Sequence, residues 1–273
     1  MLCRVMEVSR SGYYRFIERP AREADARLVQ VKAIAQVSRY SYGSRRMAKA
    51  LQAQGYSIGR YAARSLMRQA GIACKQRRRY RRTTQSQHTL AVASNILNRR
   101  FTAAAPNQVW TTDITYLWTE EGWLYIAAVL DMFSRRVVGW AMASHLRETL
   151  VHQALQMALG RRRPKPGLLH HSDRGIQYAS RAYVAACKTA GITMSMSRVG
   201  NCWDNAVMER CWGSLKSECT QGKRYLTRAI AKADVVDYFE MFYNSKRLHS
   251  SLGYVSPLHF EHQFLLQNMS TSS

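Results

Sequence analysis

The sequence predicts an α/β fold with a mixed five-stranded sheet and flanking helices, preceded by an all-α region. Three observations predict it. Apolar residues follow helical spacing in the first third of the chain, and from residue 107 onward their spacing shortens to that of β-strands. The 273 residues include 47% hydrophobic and 10% aromatic side chains, which is enough for a packed core and excludes a largely disordered chain.

The charge of the chain indicates an anionic partner. It holds 41 Lys and Arg residues against 17 Asp and Glu residues, a formal net charge of +24 at pH 7. Such a charge destabilises a compact chain unless something anionic lies against it, and the usual partners are nucleic acid or an anionic membrane surface. No apolar run approaches the roughly 18 residues of a spanning helix, and residues 1–14 lack the apolar centre of a signal peptide. A cytoplasmic protein that binds nucleic acid is therefore favoured.

Residues 1–82 are predicted to form a basic, helical DNA-binding region. Between Asp25 and Asp113 the chain has 17 Lys and Arg residues and no acidic residue, whereas a solvated helix face normally mixes the two signs. Within this stretch Ser44–Gln54 and Ser57–Ala70, the second capped by Ser57, have helical spacing and are each followed by a glycine. Two short helices joined by a tight turn on a basic background indicate a helix-turn-helix. An ordinary helical hairpin is the alternative that this spacing leaves open.

A basic arm follows the predicted helix pair. The segment 75–82 reads K-Q-R-R-R-Y-R-R, which is unsuited to a hairpin or a core and is interpreted as an extended arm on the phosphate backbone. Residues 83–106, which are polar and then rich in small side chains, form the predicted linker. The expected DNA contacts of the whole region are made by arginines, namely Arg60, Arg64, Arg77, Arg78, Arg79, Arg81 and Arg82.

Residues 107–222 are predicted to form the α/β domain. Three runs of β-branched and aromatic residues, Val109–Trp118, Gly122–Phe133 and Arg135–Ala143, imply an antiparallel meander. Helices and two short strands are expected to follow, at Glu148–Leu159, Gly167–Ser172 (strand), Ser180–Ala190, Ile192–Ser197 (strand), Asn205–Cys219 and Thr227–Lys246. The order β-β-β-α-β-α-β-α is that of an RNase-H-like fold, with residues 223–273 forming a C-terminal helix and tail packed on this core.

Three carboxylates stand where such a fold could bring them together. Asp113 lies within an apolar strand, Asp173 comes just past a short strand, and Glu209 lies in the first turns of a helix. A buried carboxylate is costly unless it is paired or holds a metal, and several converging oxygen ligands suit two Mg²⁺ ions. Each carboxylate alone also has a plainer interpretation: an ion pair with an arginine, an Asx turn with Gly175, and a solvated helix residue, respectively.

The spacing and the surrounding words add a family resemblance. Asp173 and Glu209 have 35 residues between them, with Asp113 a further 59 upstream, which resembles the D,D-35-E pattern of retroviral integrases and related transposases. The words W-T-T-D-I-T-Y, L-D-M-F-S-R-R-V-V-G-W, H-S-D-R-G-I-Q-Y, S-R-V-G-N-C-W-D-N-A-V-M-E-R and Y-N-S-K-R-L-H-S-S-L-G-Y-V-S-P resemble the catalytic subunit of bacterial insertion-sequence-three family transposases. The words V-S-R-S-G-Y-Y and Y-G-S-R-R-M extend the resemblance to nearly the whole chain.

The resemblance implies a bacterial, nucleoid-associated transposase that cleaves DNA strands and transfers them to a target. Asp113 would bridge two Mg²⁺ ions, which Mn²⁺ can replace, while Asp173 and Glu209 would each hold one ion. Similar enzymes act as homo-oligomers on DNA and are fused to, or join with, an upstream product that carries a helix-turn-helix and a leucine zipper. Cys211 departs from the aromatic residue common in relatives, and few residues precede V-S-R-S-G-Y-Y, which predicts an incomplete N-terminal unit.

Several neighbours of the three carboxylates are expected to lie outside a metal site. Asp131 precedes a turn and is interpreted as structural. Asp204 or Asn205 is interpreted as a helix cap. His170 and His171, near a strand end, are interpreted as packed or hydrogen-bonded side chains.

Lys216 is the one further residue near the carboxylates that is predicted to act on DNA. It lies seven residues after Glu209, two turns along the same helix face, and is expected to contact phosphate near the metals, with a solvated lysine as the alternative. The six cysteines lack C-x-x-C spacing and predict no zinc cluster, and no histidine precedes His88, which argues against the zinc domain of a retroviral integrase. A non-catalytic DNA-binding protein derived from a transposase is the alternative function.

Overall fold

The computed structural model describes residues 9–17, 26–75, 93–98, 102–198 and 205–270. The chain divides into two compact units, Met1–Cys74 and Lys75–Ser273. The predicted boundaries at residues 82, 106 and 222 stay predictions. Over the described ranges, every helix is too short or too polar to cross a membrane.

The first unit is helical in its described part. Its helices are α1 (Arg10–Ile17), α2 (Ala26–Val37), α3 (Ser44–Ala53) and α4 (Arg60–Gln69). The apolar faces of the last three helices supply a small core, with Val31, Ile34, Met47, Leu51, Ala63, Leu66 and Met67 buried. The two helices that the sequence predicts are therefore present and pack on each other.

The start of α4 corrects the predicted cap. The residue at the N-cap is Gly59, and α4 begins at Arg60, three residues after Ser57. The reason is that Ile58 is buried and its carbonyl accepts a hydrogen bond from Nε2 of Gln52 at 2.7 Å. This bond holds the connection between the helices in an extended form for two residues longer than a Ser57 cap would allow.

The second unit is built on a five-stranded sheet. Its strands are β1 (Val109–Thr119), β2 (Gly122–Asp131), β3 (Val137–Ala143), β4 (Leu169–Ser172) and β5 (Thr193–Met196). They are arranged in the order β3-β2-β1-β4-β5, in which the first three pair antiparallel and β4 pairs parallel with both β1 and β5. The mixed sheet and its RNase-H-like order confirm the predicted fold class.

Helices cover both faces of this sheet. They are α5 (Glu148–Arg162), α6 (Arg181–Thr189), α7 (Ala206–Leu215), α8 (Arg228–Asp237) and α9 (Pro257–Ser270), with a short 3₁₀ turn at Ser250–Leu252. The close approach of α5 to β3 depends on Gly139, because a Cβ there would lie 2.3 Å from the carbonyl oxygen of Ala154. A helix can lie this close to a strand only where the facing residue has no side chain.

Two predicted helices change their geometry before they end. The helix that begins at Ala206 continues from Leu215 into a π-helical turn at Lys216–Thr220. The helix that begins at Arg228 continues into a second π-helical turn at Tyr238–Tyr243. A π turn accommodates one extra residue and often marks a functional position in a helix.

Asp131 anchors the turn after β2, as predicted. Its two carboxylate oxygens accept the backbone N–H groups of Phe133 at 2.8 Å and Asn107 at 2.7 Å, and the first of these bonds closes an Asx turn. Because this turn occupies the following residues, β3 begins at Val137 rather than at Arg135.

Candidate active site

Asp113 lies in the middle of β1, the central strand of the sheet. Its Oδ2 accepts the indole N–H of Trp212 at 3.1 Å, and its Oδ1 accepts the backbone N–H of Ile114 at 2.8 Å. Trp212 belongs to α7, so this bond joins the helix to the strand that it covers. The carboxylate is thereby held in one orientation.

Asp173 comes directly after β4, next to Asp113. The parallel register of β1 and β4 pairs Thr111 with His171, and the two aspartates each lie two residues beyond that pair. Since the strands run in the same direction, both carboxylates stand at the same end of the sheet. Oδ1 of Asp173 also accepts the backbone N–H of Gly175 at 2.9 Å, so the Asx turn that the sequence allowed is present as well.

The charges of the acidic residues act on one another. Burial raises the pKa of Asp113 well above its usual range, and the charge of Asp173 raises it further, with a smaller contribution from Glu209. The hydrogen bonds from Ile114 and Trp212 oppose this by lowering the pKa. Two neighbouring carboxylates of this kind repel each other when both are ionised, and a cation between them removes the repulsion.

Glu209 stands in the first turn of α7 and is exposed to solvent. Within the described ranges, no three His, Cys, Asp or Glu side chains lie close enough together to hold a metal ion. The structure thus brings Asp113 and Asp173 together and leaves Glu209 within electrostatic reach of Asp113, outside a shared ligand shell.

The start of α7 corrects the predicted helix cap. Asn205 occupies the N-cap position, but its side chain makes no capping bond. It is buried, and its Oδ1 instead accepts the hydroxyl of Thr111 on β1 at 2.9 Å. Asp204, the other predicted cap, lies outside the described residues. The beginning of α7 is therefore tied to the strand that carries Asp113.

Lys216 lies beside this site, at the start of the first π turn. Its Nζ is 5.4 Å from the ring centroid of Tyr116, a cation–π contact. Burial lowers the pKa of Lys216, while Tyr116 and the carboxylate of Asp113 raise it. A cation is therefore present close to Asp113, as the helix spacing predicts.

The histidines and the cysteine near the site are packed side chains. Nε2 of His170 lies 2.7 Å from the hydroxyl of Tyr183, and the two ring nitrogens of His171 lie 3.0 and 3.1 Å from the hydroxyls of Ser195 and Ser197. Burial lowers the pKa of His170 to about 3. Burial also raises the pKa of the Cys211 thiol to about 12, so this thiol is neutral and fills space behind α7.

The predicted DNA-binding arginines divide into two groups. Arg60 and Arg64 are exposed on α4, four residues apart and therefore on one face. The arginines of the predicted arm, Arg77, Arg78, Arg79, Arg81 and Arg82, lie outside the described residues.

The sheet, the paired aspartates at one end of it and the helical unit before it define a protein with an integrase-type core. A family model described as an integrase core domain matches residues 103–202, a second with the same description matches residues 190–257, and an HTH-like domain model matches residues 22–80. The predicted helix-turn-helix is thus supported by the last match.

The chain belongs to the IS3 family of insertion-sequence transposases. It is 42% identical over 267 residues to the insertion element IS600 uncharacterized 31 kDa protein of Shigella sonnei, covering 96% of this chain and 98% of that protein. It is 40% identical over 270 residues to the transposase InsF for insertion sequence IS3A of Escherichia coli (strain K12), covering 97% and 94%. The resemblance inferred from the sequence words is confirmed.

A solved structure shows the same fold. A chain in the simian T-cell lymphotropic virus intasome, in complex with the PP2A regulatory subunit B56 gamma, superposes with a TM-score of 0.50. The match has 15% sequence identity and covers 79% of this chain and 70% of that chain. At this identity the match supports the architecture alone.

Proposed function

We propose that this transposase cleaves the ends of its insertion sequence and joins them to target DNA through Asp113, Asp173 and Glu209. The observation that carries the proposal is the placement of Asp113 and Asp173 on neighbouring parallel strands, two residues beyond the same register pair. Their proximity is reflected in the pKa of Asp113, which the charge of Asp173 raises. Perturbed acidic pairs of this kind cluster at functional sites.

The donor atoms fit magnesium, or manganese in its place. Carboxylate oxygens are the ligands that Mg²⁺ prefers, and the repulsion between Asp113 and Asp173 falls when a divalent cation lies between them. A pair of such ions, when bound, supplies activation of the attacking oxygen and stabilisation of the leaving oxygen. Asp113 would hold both ions, and Asp173 and Glu209 one each.

The neighbouring residues orient these ligands. Trp212 and the backbone of Ile114 fix the two oxygens of Asp113, and the N–H of Gly175 fixes Oδ1 of Asp173. Glu209 is proposed as the third ligand, which is recruited by movement of α7 when DNA and metal bind. The exposed position of Glu209 leaves its carboxylate unencumbered by core packing.

The DNA contacts are assigned to basic side chains in both units. Arg60 and Arg64 on α4 are proposed to bind at the element ends, with Arg77, Arg78, Arg79, Arg81 and Arg82 on flanking phosphates. Lys216 is proposed to bind a phosphate beside the acidic site. Its cation–π contact with Tyr116 holds the ammonium group near Asp113. Transposition at two ends further requires a homo-oligomer on DNA.

The test is strand cleavage of DNA that carries the terminal repeats, in Mg²⁺ or Mn²⁺. Asp113→Asn, Asp173→Asn and Glu209→Gln should each abolish cleavage and leave DNA binding nearly intact, because each removes a ligand charge while keeping shape. Glu148→Gln is the matched control for Glu209→Gln, since both glutamates are exposed in the first turn of a helix. Normal cleavage by Glu209→Gln would show that the third ligand is another residue. A wild-type chain that shifts this DNA without cutting it would instead support the non-catalytic alternative.

A further inference from the structure

A buried ion pair lies behind the helix that carries Glu209. Nε and Nη2 of Arg247 donate to the two carboxylate oxygens of Glu218, each at 2.7 Å. Both side chains are only 6% exposed. A two-bond arrangement of this type fixes the relative orientation of the two groups as well as their distance.

The pair gathers three separate parts of the chain. Glu218 lies in the first π turn, and its Oε2 also accepts the hydroxyl of Tyr238, the first residue of the second π turn, at 2.8 Å. Arg247 follows the second π turn, and its Nη1 lies 3.1 Å from Nε2 of His249. We call these residues, together with Ser214, the Arg247 cluster.

The contact with Ser214 connects the cluster to α7 itself. Nη2 of Arg247 donates to Oγ of Ser214 at 2.9 Å in addition to its bond with Glu218. Ser214 is the penultimate residue of α7, and Glu218 is four residues later in the π turn that continues it. One guanidinium therefore holds two successive turns of the same helical segment, which fixes the rotation of that segment about its axis.

The rotation of α7 matters because both ends of the acidic site depend on it. Glu209 is five residues before Ser214, and Trp212, the donor to Asp113, is two residues before it. Stability alone does not account for such a cluster, since a buried ion pair can often be replaced by apolar side chains without loss of stability. A buried polar network does specify one arrangement of the segments that it joins.

We infer that Arg247 and Glu218 are positioning residues that hold α7 in the rotation from which Glu209 and Trp212 reach Asp113. This inference rests on the proposed function of Glu209. The two π turns follow from it, because an extra residue in each turn brings Glu218 and Tyr238 into the cluster. The word Y-N-S-K-R-L-H, which contains Arg247, thereby acts through α7 on a site to which it contributes no ligand.

The test compares Glu218→Gln with Glu261→Gln. Both glutamates are buried, and both accept two bonds from an arginine, Glu261 from Arg162 at 2.9 and 2.8 Å. The Glu261 pair secures α9 instead of α7. Both variants are expected to lower the thermal midpoint, which measures the shared structural role.

Only Glu218→Gln is expected to affect α7. Hydrogen exchange of the α7 amides should quicken in Glu218→Gln and stay at the wild-type rate in Glu261→Gln, measured where both are folded. The single-turnover cleavage rate should fall on the order of 100-fold in Glu218→Gln, the size of effect that a small misplacement of reacting groups produces, with the DNA dissociation constant unchanged. Arg247→Lys, which keeps the charge and loses the two-bond geometry, should behave like Glu218→Gln.

Exchange of the α7 amides at the wild-type rate in Glu218→Gln would overturn the inference, whatever the cleavage rate. Equal losses of cleavage in Glu218→Gln and Glu261→Gln would likewise assign the cluster to stability alone. Wild type and Asp113→Asn are measured in parallel. If wild type fails to cut, the proposed function fails, and the exchange comparison still decides whether Arg247 and Glu218 hold α7.

Discussion

The indole N–H of Trp212 donates to Oδ2 of Asp113 at 3.1 Å, and this bond joins residues 99 positions apart in the sequence. It connects α7 with the central strand, so the helix that carries Glu209 also orients the carboxylate of Asp113. A hydrogen bond to a charged group contributes more than one between neutral groups. The proposed active site thus depends on α7 twice, once for a ligand and once for a donor.

Trp212→Phe should slow cleavage while the protein stays folded. The variant keeps an aromatic ring in the core and removes the donor to Asp113, and the loss of a hydrogen bond to a charged group corresponds to about tenfold or more in rate. The measurement is the single-turnover cleavage rate at saturating metal. Trp123→Phe, at a tryptophan that is 43% exposed on the β1–β2 hairpin, is the control. An unchanged rate in folded Trp212→Phe would mean that the indole serves packing only.

The described strands and the two aspartates follow from local sequence patterns. Alternating and β-branched residues define β1 to β3, and turn residues define their ends. Asp173 was placed at a strand end by the polar residues that follow a short apolar run. Because β1 and β4 are parallel neighbours, these local assignments suffice to bring Asp113 and Asp173 together.

The contacts that the sequence did not predict join distant residues. Arg247 and Glu218 are 29 residues apart, and no periodic pattern indicates that one will bind the other. Helical spacing predicts a continuous helix to Cys219, whereas the structure changes to a π turn at Lys216, where tertiary partners draw Glu218 inward. The appearance of Arg247 in a family word was the single available signal.

The buried His170 should make stability fall with pH. Its folded-state pKa of about 3 is below the ordinary value of 6.5, so the unfolded chain takes up a proton that the folded chain excludes. The stability is therefore complete above pH 6.5 and is lost as pH falls from there towards 3, by up to about 1.4 kcal/mol per pH unit for one proton. Urea unfolding between pH 7 and 5 measures the slope.

His170→Asn should flatten that slope, whereas His259→Asn, at an exposed position on α9, should leave it unchanged. A slope that is identical in wild type and His170→Asn would show that other groups cause the acid sensitivity. The hydrogen bond between His170 and Tyr183 changes in the variant as well. The comparison therefore uses the slope with pH and disregards the absolute stability.

Neutralising the predicted basic arm should weaken DNA binding for all sequences alike. Replacing Arg77, Arg78, Arg79, Arg81 and Arg82 by glutamine removes phosphate contacts, and each lost contact lowers the salt dependence of the logarithm of affinity by about 0.9. The dissociation constant is measured against salt concentration on terminal-repeat and unrelated DNA. Loss of binding to the terminal repeat alone, with the salt slope unchanged, would indicate base recognition and contradict the arm.

The last prediction concerns how two element ends are held together. Specific binding of paired ends requires at least two protomers and more sequence contacts than one helix-turn-helix supplies. A coiled coil needs three to four heptads or more, and over the described ranges the longest helix is α5, with 15 residues. We therefore propose that dimerisation and full specificity come from an upstream product with a helix-turn-helix and a leucine zipper, fused to this chain or bound to it. Purified residues 1–273 should then bind terminal-repeat DNA with weak specificity and cut paired ends poorly, and addition of the upstream product or the fusion should restore both. Gel-shift titration and paired-end cleavage, each with and without the upstream product, measure this. Nanomolar, repeat-specific binding with efficient paired-end cleavage by the 273 residues alone would show that no such partner is needed.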